Sequence, residues 1–243
     1  MALFTIADLH LSYTSNKPMD IFGPKWENHA ERLRENWQST VAPGDTVVIA
    51  GDVSWGMRIG DAVEDLKFIE SLNGKKIIAK GNHDFWWGTM KKLYELRDSI
   101  GAHSIDFLFN NAYYEQGFII CGTRGWFPES SYGPDDEKIV NREAERLRTS
   151  ILAGLSIKEE HPEAELLVFL HYPPAYGGTK CERICEVLRE YGISRVFYGH
   201  IHNAQKSLLV RQTAGAKLVL TAADKLDFTP VKIERGALCT TSL

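Results

Sequence analysis

Five apolar runs with strand character each end at once in Asp, Asn or His. Leu3–Ala7 precedes Asp8 and His10, Thr46–Ala50 precedes Asp52, and Lys76–Lys80 precedes Asn82, His83 and Asp84; Leu166–Leu170 precedes His171, and Arg195–Tyr198 precedes His200 and His202. Helical periodicity fills most of the intervals. In parallel sheets flanked by helices every strand-to-helix loop emerges on the carboxyl edge, so all five clusters fall on that edge. Residues two apart in an extended segment point to the same side. Asp8 with His10, and His200 with His202, therefore each offer two side chains to one small volume. Gly51, Gly81 and Gly199 precede three of the clusters, where a missing side chain permits sharp turns and close backbone approach.

The apolar spacing predicts helices over Trp26–Trp37, Asp61–Leu72 with Asp61 as N-cap, Thr89–Ser99, Asp135–Glu159 and Thr179–Tyr191. Between Ile105 and Thr123 the pattern changes. Phe107–Phe109, Ala112–Glu115 and Phe118–Gly122 read as consecutive antiparallel strands around Gln116-Gly117, opening a second sheet. Short β runs follow at Leu208–Arg211, Lys217–Thr221 and Pro230–Glu234. The expected class is α/β (α+β), two packed sheets with helices outside, and 243 residues with 44% hydrophobic content suit one domain over 1–243.

The formal net charge is −4 and basic residues form no run, which argues against an extended nucleic-acid surface. No segment has the eighteen or so consecutive apolar residues of a membrane span, and Met1 leads directly into the first strand and motif, leaving no room for a cleaved leader. A cytoplasmic protein with a small-molecule partner is the expectation. Cys181 and Cys185 fall on one apolar helical face with Ile184, Leu188 and Tyr191, and Cys121 and Cys239 also read as structural.

Imidazole, carboxylate and one amide without thiolate suit Mn, Fe, Zn, Co or Ni, with Mn or Fe favoured, better than calcium or a structural zinc. Asp8, His10, Asp52, Asn82, His171, His200 and His202 exceed what one ion needs, and a pair of ions sharing a bridging carboxylate uses them without crowding.

Taken together, Asp8-x-His10, Gly51-Asp52, Gly81-Asn82-His83-Asp84, His171 and Gly199-His200-x-His202 resemble the five-block signature of the calcineurin-like metallophosphoesterases over residues 8 to 202. The stretches GDVSWGMR, GNHDFWW, GTRGW, HYPP and YGHIH resemble, more narrowly, a bacterial branch of predicted cytosolic phosphohydrolases. The resemblance implies a four-layer double β-sheet sandwich flanked by helices. It implies that Asp8, His10 and His202 bind one metal, that Asn82, His171 and His200 bind the other, and that Asp52 bridges them. It also implies that His83 does not ligate but protonates the leaving group, with Asp84 orienting it. A dinuclear metal-dependent phosphoesterase acting through a metal-bridging hydroxide follows. The alternative is a metal-binding interaction scaffold on the same fold. One departure is that Ser54 to Met57 intervene before Arg58 where many relatives carry Asp-Arg, which argues against a phosphate role for Arg58.

Other residues carry two readings. Phe85, Trp86 and Trp87 form either an aromatic wall for substrate or, with greater weight, packing under the next helix. Arg124 binds substrate phosphate or carboxylate, or pairs with Asp135–Glu137. The loop Gly125–Asp136, with Trp126, Phe127 and Tyr132, is long enough for a lid, and Tyr172, Pro173 and Pro174 lie where they could shape a pocket floor. His29, His103 and His161 read as structural.

Overall fold

Alternation along each strand sets the layers. In a computed structural model that describes residues 1–15, 17–127 and 134–236, one sheet takes the order β13-β1-β2-β3-β4: β1 (Leu3–Ile6), β2 (Thr46–Ile49), β3 (Lys75–Ala79) and β4 (Ile105–Leu108) run parallel, and β13 (Val231–Ile233) pairs antiparallel with β1. The second takes the order β11-β12-β10-β7-β6-β5. Here β6 (Phe118–Thr123), β7 (Glu165–Leu170), β10 (Arg195–Tyr198) and β12 (Ala216–Leu220) are parallel, with β5 (Tyr113–Glu115) and β11 (Gln212–Thr213) antiparallel at the edges. A small ribbon, β8 (Ala175–Tyr176) with β9 (Thr179–Lys180), stands apart.

Leu3, Val48 and Ile77 of the first sheet meet Phe118, Ile120, Leu167, Phe169 and Phe197 of the second, forming the layer between sheets. Their strand neighbours point outward. Phe4, Val47, Ile49 and Ile78 pack under Leu33 and Trp37 of α1 (His29–Thr40), Leu66 and Ile69 of α2 (Val63–Glu70) and Leu93 of α3 (Met90–Ser99). Ile119, Cys121, Val168 and Tyr198 pack under Leu147 and Ile151 of α4 (Pro134–Glu160) and Ile184 and Leu188 of α5 (Glu182–Glu190). The four layers expected of the fold are present.

Several boundaries and one direction differ from the sequence reading. The run ending at Phe109 is β4, which closes the first sheet in parallel with β3 rather than opening an antiparallel meander. Asp61 caps a 3-10 turn at Ile59–Ala62, accepting from the Arg58 amide at 2.9 Å, and α2 starts only at Val63. Thr179 lies in β9, so Cys181 sits at the N-cap of a shorter helix. Leu208 belongs to a 3-10 turn and β11 starts at Gln212. Cys239, Tyr132 and the middle of the proposed lid lie outside the described residues.

The carboxyl edges of the two sheets are stitched together. Ala7 N–H donates to Thr221 (2.8 Å) and Ala223 N–H donates back to Ala7 (2.9 Å), so the ends of β1 and β12 meet at one place.

Candidate metal centre

The backbone turns sharply where the clusters sit. Asp8, His10, Asp52 and His200 have φ of 60°, 47°, 54° and 69°, the left-handed region that non-glycine residues avoid. Backbone bonds hold them there: Asp8 N–H to Gly51 (2.9 Å), His10 N–H to Asp52 (3.0 Å), and the His200 N–H to both Asp8 carboxylate oxygens (3.1 and 2.9 Å). Close approach also depends on glycine. A Cβ on Gly81 would overlap the Asp52 carboxylate, and one on Gly199 would overlap that of Asp8.

All seven predicted ligands converge, from both sheets. His10 Nε2 and His202 Nε2 lie 3.1 Å apart, and His202 Nε2 is 3.7 Å from Asp8 Oδ1. On the other side Asn82 Oδ1 lies 2.5 Å from His171 Nε2 and 3.0 Å from His200 Nδ1. Asp52 Oδ2 stands between the groups, 3.8 Å from His10 Nε2 and 3.4 Å from His171 Nε2. Ligand atoms of Asp8, His10 and His202, and of Asp8, Asp52 and His171, fall within 4.8 Å of one another.

The donor set fits divalent cations. His171 Nδ1 faces the Ala50 carbonyl at 3.1 Å and so carries the proton, which leaves Nε2 with a bare lone pair aimed at the Asn82 and Asp52 oxygens. Acceptors converging on acceptors repel unless a cation lies among them. Burial acts the same way on the charged forms: it pushes the Asp8 carboxyl up to about 7 and Asp52 well above the usual range, holds His10 and His171 well below it, and brings His200 down to about 4. Neutral imidazoles are the ligand form, and positive charge in the centre restores ionised carboxylates.

Asp224 completes the arrangement and was missed by sequence reasoning. It is buried, and its Oδ1 lies 3.0 Å from His202 Nδ1 while Oδ2 accepts the Asn203 N–H at 3.1 Å. This bond puts the His202 proton on Nδ1 and aims the Nε2 lone pair inward. Burial works to lower the His202 pKa, but Asp224 and Asp8 prevail and raise it. The signal was present: an Asp shortly after the apolar strand β12, following the same strand-end rule.

His83 takes no part in the clustered ligand groups. Its N–H donates to Asp52 Oδ1 at 2.8 Å, and its half-buried ring packs 4.4 Å from Trp55 and 5.7 Å from His10, centroid to centroid. Burial, Lys17 and His202 lower its pKa. Asp84 is fully buried, and its hydrogen bonds go to the loop framework. Oδ1 accepts from Val53 N (2.9 Å), Ser54 N (3.2 Å) and Trp86 Nε1 (2.9 Å), and Oδ2 from Asp52 N (2.9 Å) and Gly81 N (2.7 Å). Through those bonds it clamps the turns after β2 and β3 against each other.

Of the aromatics, Trp86 and Trp87 are buried while Phe85 is exposed. Tyr172 packs against His200 at 4.2 Å and Trp126 at 5.2 Å, and Arg58 is exposed. Arg124 faces Glu143 of α4, at 3.8 Å. His161 stacks on Tyr114, and His29 packs on Trp26 and Phe228.

A family model described as calcineurin-like phosphoesterase matches residues 1–204. The Gene 66 protein of Mycobacterium phage L5 is 33% identical over 78 residues, which is 32% of this chain and 37% of that protein. The match thus spans little more than a third of the relative's length. Among solved structures, AQ665 from Aquifex aeolicus superposes with a TM-score of 0.52 at 14% identity over 95% of both chains. TT1561 of Thermus thermophilus does so at 0.50 and 10% identity, over 90% of this chain and 87% of that one. At such identities the likeness is one of fold.

Proposed function

The chain belongs to the calcineurin-like phosphoesterase family, and from that premise we propose that it hydrolyses phosphomonoesters or phosphodiesters of small molecules with two divalent transition-metal ions. The observation that carries the reading is the convergence of nitrogen and oxygen ligand atoms on two adjacent points, His10 Nε2 with His202 Nε2 and Asp8, and His171 Nε2 with Asn82 Oδ1 and His200. Asp8, His10 and His202 would hold one ion and Asn82, His171 and His200 the other. Asp52, facing both groups, would bridge. A donor set of nitrogen and oxygen without thiolate favours manganese or iron among the first-row ions. When bound, such a pair supplies Lewis-acid stabilisation of a phosphoryl group and lowers the pKa of water.

The residues of the chain do the rest. The bond from its own N–H to Asp52 keeps His83 beside the centre, and its half-buried ring has access to a leaving group. Its pKa is held down in the free protein. A phosphoester anion beside the ring acts in the opposite sense, so the ring takes up a proton as substrate binds and gives it to the departing oxygen. Ligands drawn from both sheets support treating residues 1–243 as one domain. Among the described residues no helix is long and apolar enough to cross a membrane, and a cytoplasmic location is part of the proposal.

His83→Ala tests the assignment. It should keep its metal by elemental analysis, lose roughly a hundredfold or more on an alkyl phosphate, and lose much less on a nitrophenyl ester, whose leaving group needs no proton. Equal losses on the two esters remove His83 as the acid.

A further inference from the structure

Beside the half of the centre formed by Asn82, His171 and His200, four cations gather around one carboxylate. Lys80 ends the segment that leads through Gly81 to Asn82. Arg124 follows β6, and its carbonyl accepts the N–H groups of His171 (3.1 Å) and Tyr172 (2.9 Å), so it abuts a predicted ligand. Arg142 and Arg146 come from α4. All three guanidinium groups face Oε1 of the fully buried Glu143: Arg146 Nη1 at 2.6 Å, Arg124 Nη2 at 3.8 Å and Arg142 Nε at 3.8 Å. Its other oxygen accepts the Thr123 hydroxyl at 2.7 Å. Lys80 lies within electrostatic reach of Arg124, Arg146 and Glu143, and of Asp84 on its other side.

One carboxylate cannot neutralise four cations. Even counting Asp136, which accepts the Trp126 indole N–H at 3.1 Å, and Asp84, which also acts on Lys80, the described residues of the cluster keep one positive charge in excess in a chain whose net charge is −4. A second observation points the same way. Arg124 Nε is buried and has no hydrogen-bond acceptor among the described residues, although buried donors are almost always paired. The route to the centre is short: the Arg124 guanidinium sits 5.2 Å over the Trp126 ring, Trp126 packs on Tyr172, and Tyr172 on His200. A network serving only to dock α4 on β6 has no need of surplus charge or of an orphaned guanidinium nitrogen.

We propose that Lys80, Arg124, Arg142 and Arg146 form a second anion subsite that takes a further phosphate of the substrate, so that the preferred substrates are phosphoesters carrying two phosphoryl groups. Arginine forks suit a phosphate's oxygens, and the non-scissile phosphate would supply the acceptor that Arg124 Nε lacks. The proposal rests on the phosphoesterase reading for the reaction, but the subsite consists of protein cations alone.

The decisive experiment therefore uses metal-free protein, titrated calorimetrically with inorganic pyrophosphate and with inorganic phosphate. Pyrophosphate should bind more tightly than phosphate, and about tenfold more weakly to Lys80→Gln and to Arg142→Gln, neither of which removes the short Arg146 bond to Glu143. Arg148→Gln, on the same helix but paired with Glu145 and Glu190, should bind as the unaltered chain does. Absence of pyrophosphate binding, or equal binding by Lys80→Gln and Arg142→Gln, overturns the subsite. With metal restored, the ratio of kcat/KM for a nucleoside bisphosphate to that for the monophosphate should fall about tenfold in both subsite variants. If no phosphoester is turned over, the phosphoesterase reading fails while the titration still decides the subsite.

Discussion

Asp84→Asn separates two roles for the residue after His83. If Asp84 serves only to orient that histidine, an isosteric amide should lower turnover and leave stability alone. The structure predicts otherwise. Five donors converge on the carboxylate, three on Oδ1 and two on Oδ2, and none of these groups could accept a carboxyl proton, so the geometry demands the ionised form even though burial pushes the carboxyl up. In its better orientation the amide keeps the three bonds at Oδ1 and turns its NH2 toward the Asp52 and Gly81 N–H groups. Two hydrogen bonds to a charged acceptor are lost, at about 1.5–3 kcal/mol each, so the expected cost is about 3–6 kcal/mol. Against a typical total of about 5–15 kcal/mol that is a large share. At about 2–4 °C per kcal/mol for a chain of this size, Tm should fall by about 6–24 °C.

The measurement is urea unfolding of chelator-treated protein, so that metal affinity does not enter, followed by elemental analysis after reconstitution. Because the Asp52 N–H is one of the two lost donors, metal retention should fall as well. A variant within about 1 kcal/mol of the unaltered chain, with full metal content and slow turnover, would refute the clamp and restore the orienting role.

Other consequences can be measured separately. Gly199→Ala forces a Cβ into the Asp8 carboxylate and the Ala7 side chain; at least one equivalent of metal per chain should be lost, and full occupancy would show that the turn relaxes. Asp224→Ala leaves His202 free to rotate or change tautomer, so metal affinity by competitive chelation should drop about 10–100-fold, and an unchanged affinity removes Asp224 as a positioning residue. Lys76 is buried, donates to the Leu72 and Gly74 carbonyls at 2.7 and 2.9 Å, and has its pKa lowered by burial to about 8 from 10.5. The unfolded chain then binds more protons between those values, so Lys76 makes stability rise with pH across that window by about 3 kcal/mol at most, a slope that Lys76→Met should abolish while orphaning the carbonyls. Urea midpoints at pH 7.5 and 10 that move equally in both proteins would contradict it.

The convergence of the candidate ligands was legible in the sequence because strand ends in parallel sheets are a small set of positions, and a polar residue directly after an apolar run occupies one of them. Asp8, Asp52, Asn82, His171 and His200 all obey this. Asp224 obeys it too, yet two alanines separate it from Thr221 and no histidine accompanies it, so nothing local distinguishes it from a loop carboxylate. The direction of β4 was illegible for a different reason: alternation reports which face is buried, and a parallel and an antiparallel partner bury the same face. Arg124 illustrates a third kind of loss. Acidic residues at 135 to 137 are nearer in sequence, but Glu143 lies a further two turns along α4 and is selected by how that helix docks on β6, which depends on packing at Ala144, Leu147 and Ile151.

The left-handed backbone at Asp8, His10, Asp52 and His200 ties these observations together. Each such residue costs of the order of 1–3 kcal/mol, which isolated turns would shed by relaxing. They do not relax because the strain is held by bonds between the elements it brings together: Asp8 to Gly51, His10 to Asp52, the Asp8 carboxylate to His200, and Asp84 to both neighbouring loops. Three of the strained residues carry proposed ligands from the first sheet and one carries a proposed ligand from the second. The fold therefore supplies the site's geometry through mutual restraint of strand ends, and a divalent cation would gain from that restraint while relieving the repulsion among converging acceptors. On this account metal binding and stability are one linked equilibrium. A ligand-site variant such as His10→Ala should accordingly lose the metal-dependent rise in Tm, read as the difference between the metal-loaded and chelator-treated forms of each protein, because loss of the buried ring stacked on Trp55 lowers the Tm of both forms.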